Sequence, residues 1–263
     1  MGSRMKIINS FYDKGCENDR LLRSRHGQLE YLTTMHYIHK LVPDMSRILE
    51  VGAGTGRYAV TLAKEGHTVT AVELASKNFA MLQENSKGIE TISAVQGDAL
   101  DLGDLKDNTF DCTLVFGPLY HLYDRKDQLK ALSEAVRVTK ENGLVMVAFL
   151  SVHAIMFDNY LQGNWKIGEK ENFSKDYQVR HFENQIFTGF NIDEFEALFD
   201  TFAVEKIATV AADGIMQLAE GRSDFAMSDE EFQDYTRYHL HHCERRELLG
   251  CSSHLLYICK KRA

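Results

Sequence analysis

Proline and tryptophan are scarce. The 263 residues hold two prolines, Pro43 and Pro118, and one tryptophan, Trp165. With no serine- or glycine-rich linker and no internal repeat, the chain reads as one compact domain, long enough for an α/β unit with decorations. No stretch approaches the ~18 uncharged apolar residues of a membrane span, so no membrane partner is expected. No early apolar run resembles a signal peptide. Met1 to Arg4 precede a second methionine, Met5, and are set aside when the fold is read. Positive charge is also short: 30 Lys and Arg face 38 Asp and Glu, a formal net charge of −8. That balance disfavours nucleic acid as a partner, because binding it wants a basic face. Cysteine is too sparse for a disulfide framework. Cys16, Cys112, Cys243, Cys251 and Cys259 form no C-x-x-C pair, and with no signal peptide they point to a reducing cytoplasm. The last three cysteines are eight apart, with His241, His242 and His254 nearby. This is unlike the tight ligand pairs of a metal site, so no metal is expected.

What the chain does have is alternation of strand and helix. A helical stretch over 18–41 carries Leu29, Leu32, Met35 or His36, and His39 on one face and stops at Pro43. Then follow a buried strand at 47–51, a helix at 56–65, a strand at 67–73, a helix at 75–85 and a strand at 90–95. A short helix or turn at about 100–106 leads to a strand at 110–116. Asp124 is placed to cap a helix bearing Leu129, Leu132 and Val136, and Asn142-Gly143 to turn the chain into an apolar strand at 144–150. Alternation at this period, with near-continuous apolar strands, predicts a doubly wound, mostly parallel sheet with helices on both faces. Further on, Asn191 to Glu194 resembles a capping box, and Ser228 to Glu231 forms a second one before a helix to about Leu248. Strands at 203–210 and 254–259 complete seven, the last two as an antiparallel edge hairpin.

The stretch from Ile48 to Ala59, ILEVGAGTGRYA, places glycines at 52, 54 and 56 between a strand and a helix. Glycine permits the tight turn and lets a ligand approach backbone N–H groups at the helix start. A nucleotide-like ligand is the first reading. The pattern is not the dinucleotide one: Arg57 stands where its third glycine belongs, and Glu50 lies two positions before the first glycine. That acid would repel a pyrophosphate and suits a ligand carrying a cationic group. Glu73 ends the second strand, where a carboxylate can accept from both ribose hydroxyls. Asp98, in QGDAL, ends the third, where it can accept from an exocyclic amine such as that of adenine.

These features together resemble class I S-adenosylmethionine-dependent methyltransferases. The resemblance rests on the E-x-G-x-G-x-G loop at 50–56, Glu73 and the GDA at 97–99, covers about residues 47–150, and is nearest to bacterial small-molecule enzymes of the ubiquinone-biosynthesis-like type. FGPLYHL at 116–122 and CERRELLG at 243–250 resemble an uncharacterised bacterial branch. The resemblance implies a Rossmann-like methyltransferase fold with S-adenosylmethionine as cofactor. Glu50 would orient the loop or meet the cofactor's amino-acid end, and Gly52, Ala53, Gly54 and Gly56 would lie along its methionine and ribose. Glu73 would hold the ribose diol, Leu74 would lie on the adenine, and Asp98 and Ala99 would meet the adenine edge. Phe116 and Gly117 would lie near the methionyl amine and the reactive methyl. It also implies an N-terminal helical lid over 1–44, with Tyr12, Arg25 and His26 over the cofactor. The core would span 45–150, and substrate-side caps 151–202 and 212–250.

A sulfonium methyl is already activated, so positioning and exclusion of water supply much of the rate. The loop after the fourth strand should border the methyl. Enzymes acting on exocyclic amines or glutamine carry Asn, Asp or Ser, then Pro-Pro and an aromatic there; Gly117 and Leu119 depart from that pattern. His121 is the expected general base, with Tyr120 orienting substrate and His153 a second candidate. Trp165, Phe157, Tyr160 and Phe173 read as packing or as a cage for a cation. The expected activity is methyl transfer to an O, N or S atom of a small molecule. The alternatives are a non-catalytic module binding S-adenosylmethionine or S-adenosylhomocysteine, a nucleic-acid or protein methyltransferase, and, least, a nicotinamide-dependent reductase. The sequence leaves the oligomeric state open.

Overall fold

A computed structural model describes residues 3–13, 19–161, 173–182 and 186–263. The central alternation forms as expected: β1 (Arg47–Val51), α4 (Arg57–Lys64), β2 (Thr68–Glu73), α5 (Ser76–Asn85), β3 (Ile92–Gln96), β4 (Phe110–Val115), α6 (Arg125–Val138) and β5 (Thr139–Ser151). Three helices precede it: α1 (Ser3–Tyr12), α2 (Arg20–Arg23) and α3 (Arg25–Leu41). After it come α7 (Val152–Leu161), β6 (Gly189–Phe190), α8 (Ile192–Glu196), β7 (Val204–Ala211), α9 (Met216–Glu220), α10 (Asp229–His242), α11 (Arg246–Leu249) and β8 (His254–Lys261). The sheet runs β3-β2-β1-β4-β5-β8-β7, with β6 added beside β5. All pairs are parallel except β5–β8 and β7–β8, the expected edge hairpin. The described residues thus give eight strands, the seven expected and the two-residue β6. Ile48, Leu49, Leu114, Val145 and Val147 are wholly buried, which is why the inner strands read as continuous apolar runs.

Capping chemistry fixes several boundaries. The Asp124 side chain accepts from Lys126 N at the start of α6, and the reciprocal Ser228–Glu231 box opens α10. Four local expectations change. Asn191 caps nothing with its side chain, and α8 is a single short turn rather than a boxed helix. The helix from Asp229 ends at His242, and Arg246–Leu249 forms a separate turn. Asn142-Gly143 does not begin the strand. It lies inside β5, with Asn142 at φ 62° and the β4–β5 register shifting between Phe110 and Cys112, so the turn signal marks a bulge. The face of α3 also differs: Leu32, His36 and His39 are exposed, while Leu29, Glu30, Thr33, Thr34, Met35, Tyr37 and Ile38 are buried. A polar seam is buried there because Glu30 finds a cationic partner in Arg20.

The N-terminal helices lie at the carboxyl edge of the sheet. Asn9 of α1 accepts from Ser76 N of α5, and Lys77 of α5 donates to Asp13 O. Arg4, outside the stretch used to read the fold, forms an ion pair with Asp98. The helix α3 packs against α9 and α10.

Candidate active site

The strand order reverses between β1 and β4, and ligands of such sheets sit outside the carboxyl ends of the strands at that point. Gly52, just past β1, has φ 81°, and a Cβ there would fall 2.5 Å from both Phe116 O and Pro118 Cδ. Glycine is required because the loop after β4 presses directly on the loop after β1. Gly56 then opens α4 as its N-cap.

The expected acids line one cavity of about 460 Å³ with Gly52, Ala53, Gly54, Leu74, Ala99, Phe116, Gly117, Tyr12, Tyr120 and His121. Glu50 is buried, and one carboxyl oxygen, Oε2, has no partner among the described residues. Burial pushes its pKa up to about 8, the nearby Glu73 adding to the rise and a bond from the Ala59 backbone opposing it. Glu73 accepts from Gly54 N and Ala75 N, each at 2.7 Å, one bond to each carboxylate oxygen. Glu73 lines the cavity, where a carboxylate can accept from a diol. Asp98 accepts from Leu100 N at 3.1 Å while pairing with Arg4.

The methyl-facing loop forms a 3₁₀ turn over Pro118–His121. Gly117, at φ 110° and ψ −42°, has a backbone closed to ordinary side chains, which accounts for the missing amide or carboxyl residue there. Tyr120 is buried, and burial raises its pKa well above the usual value. His121 is engaged on both nitrogens: Nδ1 lies 2.6 Å from Ile186 O and Nε2 lies 2.9 Å from Tyr12 Oη. A carbonyl can only accept, so Nδ1 carries the proton and Nε2 accepts from the tyrosine. Burial pulls the His121 pKa down to about 4, against the Ile186 bond.

Beyond this loop the cavity is walled by groups that spacing did not single out. Arg20 donates to both oxygens of the buried Glu30, at 2.7 and 2.9 Å. Burial would raise the Glu30 pKa, but Arg20 and His254 outweigh it and hold it at about 2. His254, the first residue of β8, sets Nδ1 2.8 Å from Asp213 Oδ2 and 3.6 Å from Glu30 Oε2. Phe11, Tyr58, Phe187 and Gln217 complete these walls.

Arg25 is not among the cavity residues and corrects the expectation of a cofactor contact. Its guanidinium pairs with Asp229 at 2.5 Å and lies 4.7 Å from the centre of the Phe232 ring, so it ties α3 to α10. The first turn of α3 directs this side chain away from the cavity, and its neighbour His26 lines the cavity instead. His153 is exposed and bonds Asn191, away from the cavity. Trp165 and the side chain of Tyr160 lie outside the described residues, as does Cys16. Among the described residues no group of three or more His, Cys, Asp or Glu is arranged to hold a metal ion. No helix among them is long and apolar enough to cross a membrane.

Comparison with known proteins agrees with this geometry. Residues 49–147 match the family model described as a methyltransferase domain. The chain is 34% identical over 105 residues to the demethylmenaquinone methyltransferase of Staphylococcus aureus (strain JH9), covering 38% of this chain and 42% of that one. It spans about two fifths of the length of the first curated relatives it matches. Among solved structures, it superposes on a protein of Pyrococcus horikoshii with a TM-score of 0.62 and 15% identity, over 96% of this chain and 99% of that one. A SAM-dependent methyltransferase of Methanosarcina mazei gives 0.56 and 15% identity, over 86% and 97%. At such identities the structures speak for the fold, and the matched segment carries the glycine loop and all three acids, Glu50, Glu73 and Asp98. Residues 49–147 of this chain therefore match a methyltransferase domain, set on a fold that the chain shares with a solved SAM-dependent methyltransferase.

Proposed function

We propose that the whole chain transfers a methyl group from S-adenosylmethionine to a small-molecule acceptor enclosed by the N-terminal helices and the segments after β5. The observation that carries this reading is that one cavity of about 460 Å³ joins the glycine loop and its acids to a chamber of aromatic and polar side chains. That volume falls within the roughly 300–1,000 Å³ of small-ligand pockets.

The residues present fit the cofactor. The unpartnered Oε2 of Glu50 is a buried acceptor waiting for a donor, which an ammonium supplies. A Cβ at Gly52 would strike Phe116 O and Pro118, so the loop keeps its bare backbone where Gly52 and Gly54 line the cavity. When bound, S-adenosylmethionine supplies a methyl carried on a positively charged sulfur. Glu50 would ionise to meet the ammonium, Glu73 would accept from the ribose diol, Leu74 would cover the adenine, and Asp98 and Ala99 would meet its edge, with Arg4 giving up Asp98. Phe116, Gly117 and Tyr120 border the acceptor. His121, bonded to both Tyr12 of α1 and Ile186, latches two cover segments over the site and so helps exclude water. The acidic chain and the closed backbone at Gly117 favour a small acceptor over a nucleic-acid base.

The test is isothermal titration with S-adenosylmethionine and S-adenosylhomocysteine, beside NAD and NADP. Binding of the first pair alone is expected, weakened about 100-fold by Glu73→Ala, because two buried N–H groups and the diol lose a charged acceptor. Binding of NAD, or none of either S-adenosyl compound, defeats the assignment.

A further inference from the structure

The mechanism leaves one buried polar cluster unused. His254 lies at the end of the sheet where β8 pairs with β5, Leu150 opposite His254, beside the methyl-facing loop: its ring centroid is 6.2 Å from that of Tyr120. Its side chain is 15% exposed and lines the cavity. Asp213, which is fully buried, holds it firmly. One carboxylate oxygen takes His254 Nδ1 at 2.8 Å, and the other accepts from the Ser252 hydroxyl at 2.6 Å and from the His254 backbone N–H at 3.1 Å. A carboxylate only accepts, so a neutral His254 carries its proton on Nδ1 and presents the Nε2 lone pair; Nε2 has no partner among the described residues.

Resting on the methyl-transfer reading above, we propose that Asp213 and His254 are the proton-accepting pair of the acceptor chamber, His254 Nε2 receiving the proton of an acceptor hydroxyl. The acceptor oxygen forms its bond to the methyl carbon as the carbon–sulfur bond breaks and leaves its electron pair on sulfur. The hydroxyl proton passes to Nε2, and the imidazolium later releases it to water. A hydroxyl is the class that needs such a base. An amine in its neutral form attacks through its lone pair and a thiol ionises nearer neutrality, whereas a phenol holds its proton to a pKa of about 10 and its neutral oxygen is a poor nucleophile until that proton is taken. The aromatic walls from Phe116, Tyr58 and Phe187 suit a flat phenolic ring.

The electrostatics agree. The groups acting on His254 are Glu30 of α3, Asp213 and Arg20 of α2, with the Tyr120 ring beside it; His26 of α3 acts on Glu30, and Tyr58 of α4 on Tyr120. Arg20 offsets part of the Glu30 charge through its two bonds, and both carboxylates still act on the histidine. Burial alone would lower the His254 pKa, but Glu30 and Asp213 set it above the ordinary value. His121 lacks a free nitrogen, and His26, bonded to Glu220 at 2.7 Å, sits on the first turn of α3 rather than on the sheet edge.

The test has two arms. In the first, wild type, His254→Asn, Asp213→Asn and His26→Asn are titrated with S-adenosylhomocysteine. They are then supplied with methyl-labelled S-adenosylmethionine and phenol, catechol, 4-hydroxybenzoate, benzylamine or 2-mercaptoethanol. Label should pass to a phenol, and His254→Asn should lower turnover about 100-fold at pH 7 with unchanged S-adenosylhomocysteine affinity. That turnover should recover as pH approaches the phenol's own ionisation. Transfer only to the amine or thiol, or loss in His26→Asn with none in His254→Asn, overturns the pair. The second arm needs no acceptor. Nitrogen-15 titration of the histidines should show neutral His254 protonated on Nδ1 and taking its second proton at Nε2, with the midpoint about one pH unit lower in Asp213→Asn. A neutral Nε2–H form, or a midpoint indifferent to Asp213→Asn, overturns it as well. Absence of S-adenosylhomocysteine binding in wild type would instead strike the methyl-transfer reading, and the nitrogen-15 result stands apart from it.

Discussion

The two halves of the cavity are built in opposite ways. The cofactor half comes from strand ends and the loops directly after them: Glu50 to Thr55 at the end of β1 and beyond, Glu73 and Leu74 at the end of β2, Asp98 and Ala99 after β3, Phe116 and Gly117 after β4. Each of these stretches is continuous in the chain, and the parallel sheet aligns them along one edge. The acceptor half draws on segments far apart in the chain: Arg20 and Glu30 before the sheet begins, His121 in its middle, Phe187 after β5, Asp213 and His254 around the edge hairpin. Their partners lie up to 224 positions away, as for Glu30 and His254. A half made of consecutive residues carries a motif, and a half made of distant ones carries only a geometry.

That contrast can be broken by substitution. The largest effect is expected from Gly52→Ala, whose Cβ would collide with Phe116 O and Pro118 at a φ of 81°. S-adenosylhomocysteine affinity should fall by more than about 100-fold, and an affinity close to wild type by calorimetry would show that the cofactor half is more pliable than its geometry implies. In the acceptor half, Arg20→Met strands the Glu30 carboxylate in the interior. Urea unfolding should show a loss of about 3 kcal/mol. The group's contribution has a pH window: with its folded pKa at about 2 and its ordinary value at 4.5, the stability is present above 4.5 and disappears as pH falls toward 2. If Arg20→Met is as acid-sensitive as wild type, the ion pair is not what stabilises that half.

Glu50→Gln should act in a third way, on pH dependence. The Glu50 carboxyl is raised from 4.5 to about 8, so in the unliganded protein its effect on stability declines as pH rises from 4.5 through 8. An ammonium ligand requires the ionised form, so wild-type affinity should increase with pH up to about 8, with proton release detectable by calorimetry in buffers of different ionisation enthalpy. The Gln variant should bind about tenfold more weakly, without that slope; an unchanged slope assigns it to another group. The smallest effect is expected from Tyr12→Phe, which removes one hydrogen bond to His121. Amide exchange in α1 should quicken about fivefold, matching roughly 1 kcal/mol, and unaltered exchange would mean that other contacts hold the latch.

Much of the fold was legible because its signals are short-range. Apolar runs at 47–51 and 144–150 became central strands, and the Ser228–Glu231 box opened its helix as read. The misreadings share one cause. Asn142-Gly143 carries a turn signal, yet pairing along β4 keeps the chain extended through it as a bulge. Leu32 looks like a core residue of α3, but Glu30, neutralised by Arg20, is buried in the interior while Leu32 remains 41% exposed. Arg25 and His26 are adjacent, and only helix phase decided which of them meets the cavity.

The sequence by itself determined the parallel core, the glycine cradle and the order of the three acids, since each needs only a strand, its turn and the next residue. Tertiary structure alone decided that His121 is tied up between Tyr12 and Ile186, that Arg4 reaches Asp98, and that Asp213 grips His254 beside Glu30. Those arrangements depend on burial and on which distant segments the sheet brings together. Neither quantity leaves a periodic mark along the chain.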